Sequence, residues 1–234
     1  MQFRIERDFR ELFPEATIGI VVAKGIDNRR HTEDAARLLH GANIMAREAL
    51  GDEEMTTHPA VAPWRDAYRR FGVKPAKYRS SIENLLRSAR GDGVRSINPL
   101  VDLYNTVSLR HFLPCGGEDL AAIAGDLRLT RARGDEPFVP LGAADEQPPA
   151  PGEVIYADDL GAICRAWNWR EADRTKLTAA TTSAVLVIEA LPPCSVADVQ
   201  AACDDLAALL QVNLSATCRV EMLGTGTGPV PLTG

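Results

Sequence analysis

The chain has 234 residues, 45% of them hydrophobic and 25% charged, with a formal net charge of −6. That length is ample for a buried core, as one large domain or two small ones, and the composition is that of a globular protein rather than a disordered or fibrous one. The acidic balance argues against a generic nucleic-acid coat; no apolar run approaches the roughly 18–20 residues of a membrane helix, and the charged start MQFRIERDFREL has no signal-peptide core, so a cytoplasmic protein with no membrane partner is expected.

Residues 17–24 (TIGIVVAK) read as a buried strand. Thr32 is a candidate cap for a helix over 33–50, where Ala35, Leu38, Leu39, Ala42, Met45, Ala46 and Ala49 keep helical spacing. Residues 59–71 read as a second helix, ended by Gly72, with Lys74-Pro75 as an extended joint. Ser80 and Glu83 have the S-x-x-E spacing of a capping box. The helix they open has Ile82, Leu85, Leu86 and Ala89 on one face and stops at Gly91. Asn98-Pro99 opens the next helix, with Leu100, Leu103, Tyr104 and Val107 on its apolar face. On its other side Asn98, Asp102 and Asn105 fall at i, i+4 and i+7, one narrow stripe at about 100° per residue. Asn and Asp are poor interior helix formers, so this stripe either lines a pocket or is a solvated or hydrogen-bonded face.

Residues 112–119 (FLPCGGED) read as a turn-rich loop, in which Gly116 and Gly117 allow close approach of backbone to a ligand. Short strands are expected over 127–132, 137–142, 153–156 and 162–167, with an acidic, proline-rich surface loop at 143–152 and a turn over 168–175. On a strand, Trp167 and Trp169 point to one face. Beside Asn168 and Arg170 they either wall a pocket for an amino acid or base, or fill the core. Residues 184–188 (AVLVI) read as a buried strand with Glu189 at its end. That carboxylate is either a functional group with a raised pKa or the structural partner of an arginine. Ser195 and Asp198 cap a last helix with Val199, Ala202, Cys203, Leu206 and Leu210 on one face. A strand over 214–222 and a loosely held tail, 224–234, follow. Helices and strands in blocks, without strict alternation, favour α+β over a doubly wound sheet.

Between Trp64 and Arg90 stand eight basic residues, among them Arg65, Arg69, Arg70, Lys74, Lys77 and Arg79, against only Asp66 and Glu83. Trp64, Tyr68, Phe71 and Tyr78 are interleaved with them. Such a segment either contacts phosphates and stacks bases or is a helix with its aromatics in the core. There is no G-x-x-x-x-G-K-[ST] loop, no G-x-G-x-x-G and no G-x-S-x-G elbow. The five cysteines are odd in number and hold no C-x-x-C pair, so no disulfide framework is expected; His111 and Cys115 are four apart, but no second pair completes a metal site.

Four segments in order, INPLVDLYNTVSL, LPCGGEDL, VIYADDLGAICRAWNWR and TTSAVLVIEA, resemble the B3/B4 domain of the bacterial phenylalanyl-tRNA synthetase beta chain, a module that edits mischarged tRNA. KYRSSIENLLR and WNWR look like the freestanding B3/4-domain proteins. The likeness is strongest over residues 60–192 and implies a single domain over 1–234, with 1–58 and 193–234 packed on the same core. It implies an α+β fold, a sandwich-like mixed sheet flanked by helices, and a pocket that hydrolyses a wrong amino acid from the 3′ end of tRNA without cofactor or metal. By this resemblance Asp102, Tyr104 and Asn105 are polar pocket residues. Glu189 selects the amino-acid side chain, and the main chain of Ala166 and Trp167 lies against the substrate. Together with the reading of the residues, Asp102, Asn105 and Glu189 are the expected catalytic set. Asn98, Gly116, Gly117, Asn168, Trp169 and Arg170 join the substrate site, and the basic residues hold tRNA. Two departures imply a differently shaped pocket: Gly116 stands where the synthetase has a histidine, and residues 167–170 replace a glycine-rich turn. Mischarged tRNA is the expected partner, with a free amino acid as the alternative ligand of a non-catalytic module.

Overall fold

A computed structural model describes residues 1–224 and 228–233. One sheet is antiparallel, in the order β3 (Cys115–Asp119), β8 (Ser183–Ala190), β2 (Thr17–Lys24), β9 (Thr217–Leu223). The other is mixed, in the order β10 (Val230–Pro231), β1 (Gln2–Ile5), β4 (Leu127–Arg131), β5 (Val154–Asp158), β6 (Gly161–Arg165), β7 (Arg170–Glu171); only β1 and β4 run parallel. The helices are α1 (Arg7–Leu12), α2 (Thr32–Leu50), α3 (Ala62–Arg70), α4 (Ser81–Arg90), α5 (Pro99–His111) and α6 (Val196–Leu214).

The period of two in β2 divides the core. Ile18, Ile20 and Val22 pack with Phe3, Phe9, Tyr156 and Trp167, toward the mixed sheet. Val21 and Ala23 pack with Leu100, Leu103, Val199 and Leu206 of α5 and α6. A strand buried on both faces has to be apolar along its buried length, as residues 18–23 (IGIVVA) are. Gly19 lies on the helix side, where a Cβ would stand 2.4 Å from Cys203 Sγ and 2.8 Å from Val199 Cγ1. The same alternation in β8 sends Ala184, Leu186 and Ile188 to the helices and Val185 toward the mixed sheet. Glu189, next to Ile188, therefore faces the mixed sheet.

Several expectations change. β1, α1 and β10 arise from segments with no assigned strand or helix, because Phe3, Phe9, Val230 and Leu232 are spaced too sparsely to show a period. The 224–234 tail is held at Val230 and Leu232, both buried, whereas 225–227 and 234 lie outside the described residues. Residues 115–119 form a strand, not a loop, since Gly116 and Gly117 pair with Val187 and Leu186. Residues 137–142 contribute only an isolated bridge, Pro140 to Ala172. Helix α2 starts at Thr32 with His31 before it in the left-handed region, and the Thr32 hydroxyl donates to Arg29 O instead of capping. Helix α3 begins at Ala62, and 74–78 is a turn in which the N–H groups of Lys77 and Tyr78 both donate to Lys74 O. The β6 strand ends at Arg165, so Trp167 and Trp169 are not strand neighbours but lie on the following turn.

Replacing Gly19 by Val forces α6 off the sheet and lowers stability by about 1–3 kcal/mol, measured by urea unfolding. Gly41→Ala on the open face of α2, where an added Cβ meets nothing within 4 Å, raises it by up to about 1 kcal/mol and serves as the control.

Candidate functional site

Between the two sheets lies a cavity of about 200 Å³. β3 supplies Cys115 to Glu118, β8 supplies Val187 and Glu189, and the mixed sheet supplies Leu127, Tyr156 and Cys164. The turn after β6 contributes Trp167, Asn168, Trp169, Arg170 and Glu171, with Leu141 and Ser81 closing the rest. Burial pushes both thiols, Cys115 and Cys164, well above the ordinary thiol value, away from the reactive thiolate.

Glu189 is 3% exposed and receives three hydrogen bonds from neutral donors. The Tyr156 hydroxyl donates to Oε1. Trp167 Nε1–H donates to Oε1 at 2.6 Å and Asn168 Nδ2–H to Oε2 at 2.7 Å. Asn168 Oδ1 in turn accepts from the Tyr68 hydroxyl at 2.9 Å and the Ser81 N–H at 3.4 Å, which ties α3 and α4 to the same network. Burial raises the Glu189 pKa to about 6; the three donors lower it only in part.

The turn that carries these donors is held from behind. Ala166 and Trp167 both have positive φ, 44° and 64°, which costs a residue with a Cβ about 1–2 kcal/mol each. Glu153 offsets this by accepting from Arg165 Nε and Nη2 at 3.0 and 2.9 Å and from the Ala166 N–H at 2.8 Å, while the Trp167 N–H donates to Val154 O at 2.6 Å. Trp167 is fully buried against Phe9, Phe13 and Trp64, with ring centroids 4.8–4.9 Å away. It is therefore both core residue and pocket wall.

Two further carboxylates line the cavity, Glu118 and Glu171. Burial raises Glu171 to about 7, against the lowering effect of the Gly117 N–H and Arg170. Burial, with Glu171 next in weight, holds Glu118 well above the carboxylate range. Glu171 Oε1 is 3.4 Å from where a Cβ on Gly116 would stand, which places this carboxylate against β3. Neither glutamate stands out in the sequence. Glu118 reads as part of a polar loop, and the only signal for Glu171 is its position directly after WNWR.

Of the expected substrate site, Gly116, Gly117, Trp167, Asn168, Trp169, Arg170 and Glu189 come together around the cavity. The stripe on α5 does not. Every residue of α5 from Pro99 to Leu109 is buried, and the polar positions serve the fold. Asp102 accepts from Ser96 Oγ and the Ile97 N–H at 2.5 and 2.8 Å, fixing the approach to the helix. Asn98 caps α5 through the Val101 N–H at 3.1 Å, also accepts from Asn28 Nδ2, and donates to Leu177 O. Asn105 is buried beside Asp102, and neither is among the cavity walls. Tyr104 is buried outside the walls too, yet close enough for Glu171 and Glu118 to raise its pKa after burial has done so. Ala166 stands behind Trp167, its N–H taken by Glu153.

The basic segment divides. Arg65 and Arg87 both bind the buried Glu83, at 2.9 and 3.0 Å, with Arg79 3.9 Å away. Glu83 thus spends its carboxylate on arginines rather than closing the capping box, of which only the Ser80 half forms. Arg69 pairs with Asp66, and Arg70 with Glu15 at 2.9 Å while lying over Phe13. Trp64, Tyr68 and Phe71 are core residues and have no face to offer a base. Lys74, Lys77 and Arg79 remain exposed on the α3–α4 connection. Tyr78 of that connection packs edge-on against Trp169 at 4.6 Å, which sets these cations beside the cavity wall.

The family model of the B3/4 domain matches residues 63–211. The chain belongs to the B3/4 domain family. The phenylalanine–tRNA ligase beta subunit of Shewanella oneidensis is 25% identical over 154 residues, which cover 59% of this chain and 19% of that protein. The B3/4 chain thus spans about a fifth of that relative's length. An N-terminal fragment of the Pyrococcus horikoshii phenylalanyl-tRNA synthetase beta subunit aligns over 93% of this chain and 50% of its own, with a TM-score of 0.47 at 13% identity. Among the described residues no helix is long and apolar enough to cross a membrane, and no cluster of three or more His, Cys, Asp or Glu is arranged to hold a metal ion.

Because Glu189 and Glu171 titrate near 6 and 7 in the fold, against an ordinary 4.5, the folded state holds their protons more tightly than the unfolded chain. Their contribution to stability is complete below pH 4.5 and is lost as pH rises through 6 and 7. Urea unfolding across this range shows stability falling with pH, and Glu171→Gln flattens the upper part of the slope.

Proposed function

We propose that this B3/4 protein is a trans-acting aminoacyl-tRNA deacylase, which frees a mischarged amino acid from tRNA. The observation that carries the reading is the cavity lined by Glu189, whose carboxylate is fixed by three donors and raised by burial to about 6. An aminoacyl ester is already activated, so hydrolysis requires a placed water and a held carbonyl rather than a nucleophilic side chain. The cavity of about 200 Å³ suits one amino acid rather than a nucleotide. Glu189, with Trp167 and Asn168 orienting it, reads the amino-acid side chain. The exposed Lys74, Lys77 and Arg79, with Arg170 at the wall, take the tRNA phosphates, and Arg65 supports them through Glu83. Asp102 and Asn105 act here by fixing α5 behind the site. Membership of the B3/4 family, and the name of the relative from Shewanella oneidensis, supply the tRNA context.

A second reading, a non-catalytic module for a free amino acid, draws support from the saturation of Glu189: both of its oxygens are already engaged. Release of labelled amino acid from a panel of mischarged tRNAs separates the two. The deacylase releases one amino acid from its mischarged tRNA, Glu189→Gln slows release at least tenfold, and tRNA binding weakens steeply with salt. With the protein folded, no release from any pair and tRNA binding that ignores salt refute it in favour of the binding module.

A further inference from the structure

We propose that Glu118 and Glu171 form a cation subsite that takes the protonated α-amine of an aminoacyl group; the subsite rests on reading the cavity as an aminoacyl site. The three cavity carboxylates are not equivalent. Glu189 is satisfied by neutral donors from the protein itself. Glu118 is not: it is 7% exposed and lines the cavity, its Oε2 is a buried oxygen outside hydrogen-bond geometry, and the Thr175 hydroxyl beside it, equally unpartnered, only partly offsets the effect of burial. An unpaired buried acceptor of this kind is costly, and it marks where a ligand donor is missing. Ser81 Oγ, also in the cavity wall, is a second buried oxygen without a partner.

The surrounding cations do not fill the gap. Arg174 is committed to Asp158, with Nη1 and Nη2 at 2.9 and 2.5 Å from its two oxygens. Arg170 is exposed and reaches Leu141 O at 3.5 Å. The other ionisable groups that feel the pair, Tyr104 on α5, Cys115 on β3 and Cys164 on β6, stay neutral under burial, while Asp158 on β5 adds negative charge beside Glu118, against the positive charge of Arg174. Burial and mutual repulsion raise both carboxylates, so the pair carries a proton near neutral pH. A ligand ammonium has three donors and one positive charge. It replaces that proton, satisfies Glu118 Oε2, and leaves the side chain of the amino acid directed at the rest of the cavity. N-blocked amino acids lack the charge and are rejected.

Isothermal titration at pH 6.5 tests this with the twenty L-amino-acid primary amides and their N-acetyl counterparts as probes. Two buffers of different ionisation heat report the protons exchanged. At least one amide binds, its N-acetyl form binds at least tenfold more weakly, and amide binding releases protons. Glu171→Gln, confirmed folded by its thermal melt, removes that discrimination without weakening the N-acetyl probe. Equal binding of amide and N-acetyl amide by the wild type, binding of no amide, or no proton release overturns the subsite, whether or not the variant folds. Amine discrimination without tRNA deacylation removes the deacylase reading and keeps the subsite; deacylation without amine discrimination does the reverse.

Discussion

The fold depends on a buried carboxylate where two sheets meet. Glu189 leaves the antiparallel sheet from β8 and is met by a tyrosine from β5, and by a tryptophan and an asparagine from the turn after β6. A charge in such a place is tolerated only when donors surround it. The chain supplies them by holding two consecutive residues, Ala166 and Trp167, at positive φ. The ion pair between Glu153 and Arg165 then holds the turn from the other side at 2.9 Å. Cavity, turn and sheet packing are thus consequences of one requirement.

The same requirement recruits the helices. Asn168 faces Glu189 with its amide nitrogen and Tyr68 and Ser81 with its oxygen, so α3 and α4 are placed by the group that orients the site. Glu83 performs a similar task one layer out, gathering Arg65 and Arg87 and fixing the connection that bears Lys74, Lys77 and Arg79. The electrostatic pattern of the chain follows: carboxylates inside the cavity, exposed cations on the connection beside it. A ligand with an amine at one end and phosphates at the other matches that pattern.

Long periodic elements were legible from sequence. The α6 face from Val199 to Leu210, the Asn98 and Ser195 caps, and strands β2 and β8 carry their signal locally. The cavity lining next to them, Glu189 and the 167–170 turn, was legible as residues but not as geometry. Two tryptophans spaced by two suggest a strand, and only the Glu153 hold makes the turn there instead. The polar stripe of α5 lies outside the cavity walls for a related reason. Asp102 is buried and polar because it ties down Ser96 and Ile97, a partnership that helical spacing does not reveal. Glu118 and Glu171 were missed because their proximity comes from sheet pairing and a turn, across about fifty residues of chain.

The most direct measurement is a crystal structure with a stable analogue of the tRNA 3′ end, an adenosine carrying the amino acid identified by deacylation through an amide in place of the ester. The amino-acid side chain is expected against Glu189 and Trp167, its α-amine on Glu118 and Glu171, and the adenosine beside Tyr78 and Lys77. An analogue bound away from this cavity, or bound in it with the amine turned from both glutamates and the side chain from Glu189, contradicts this arrangement.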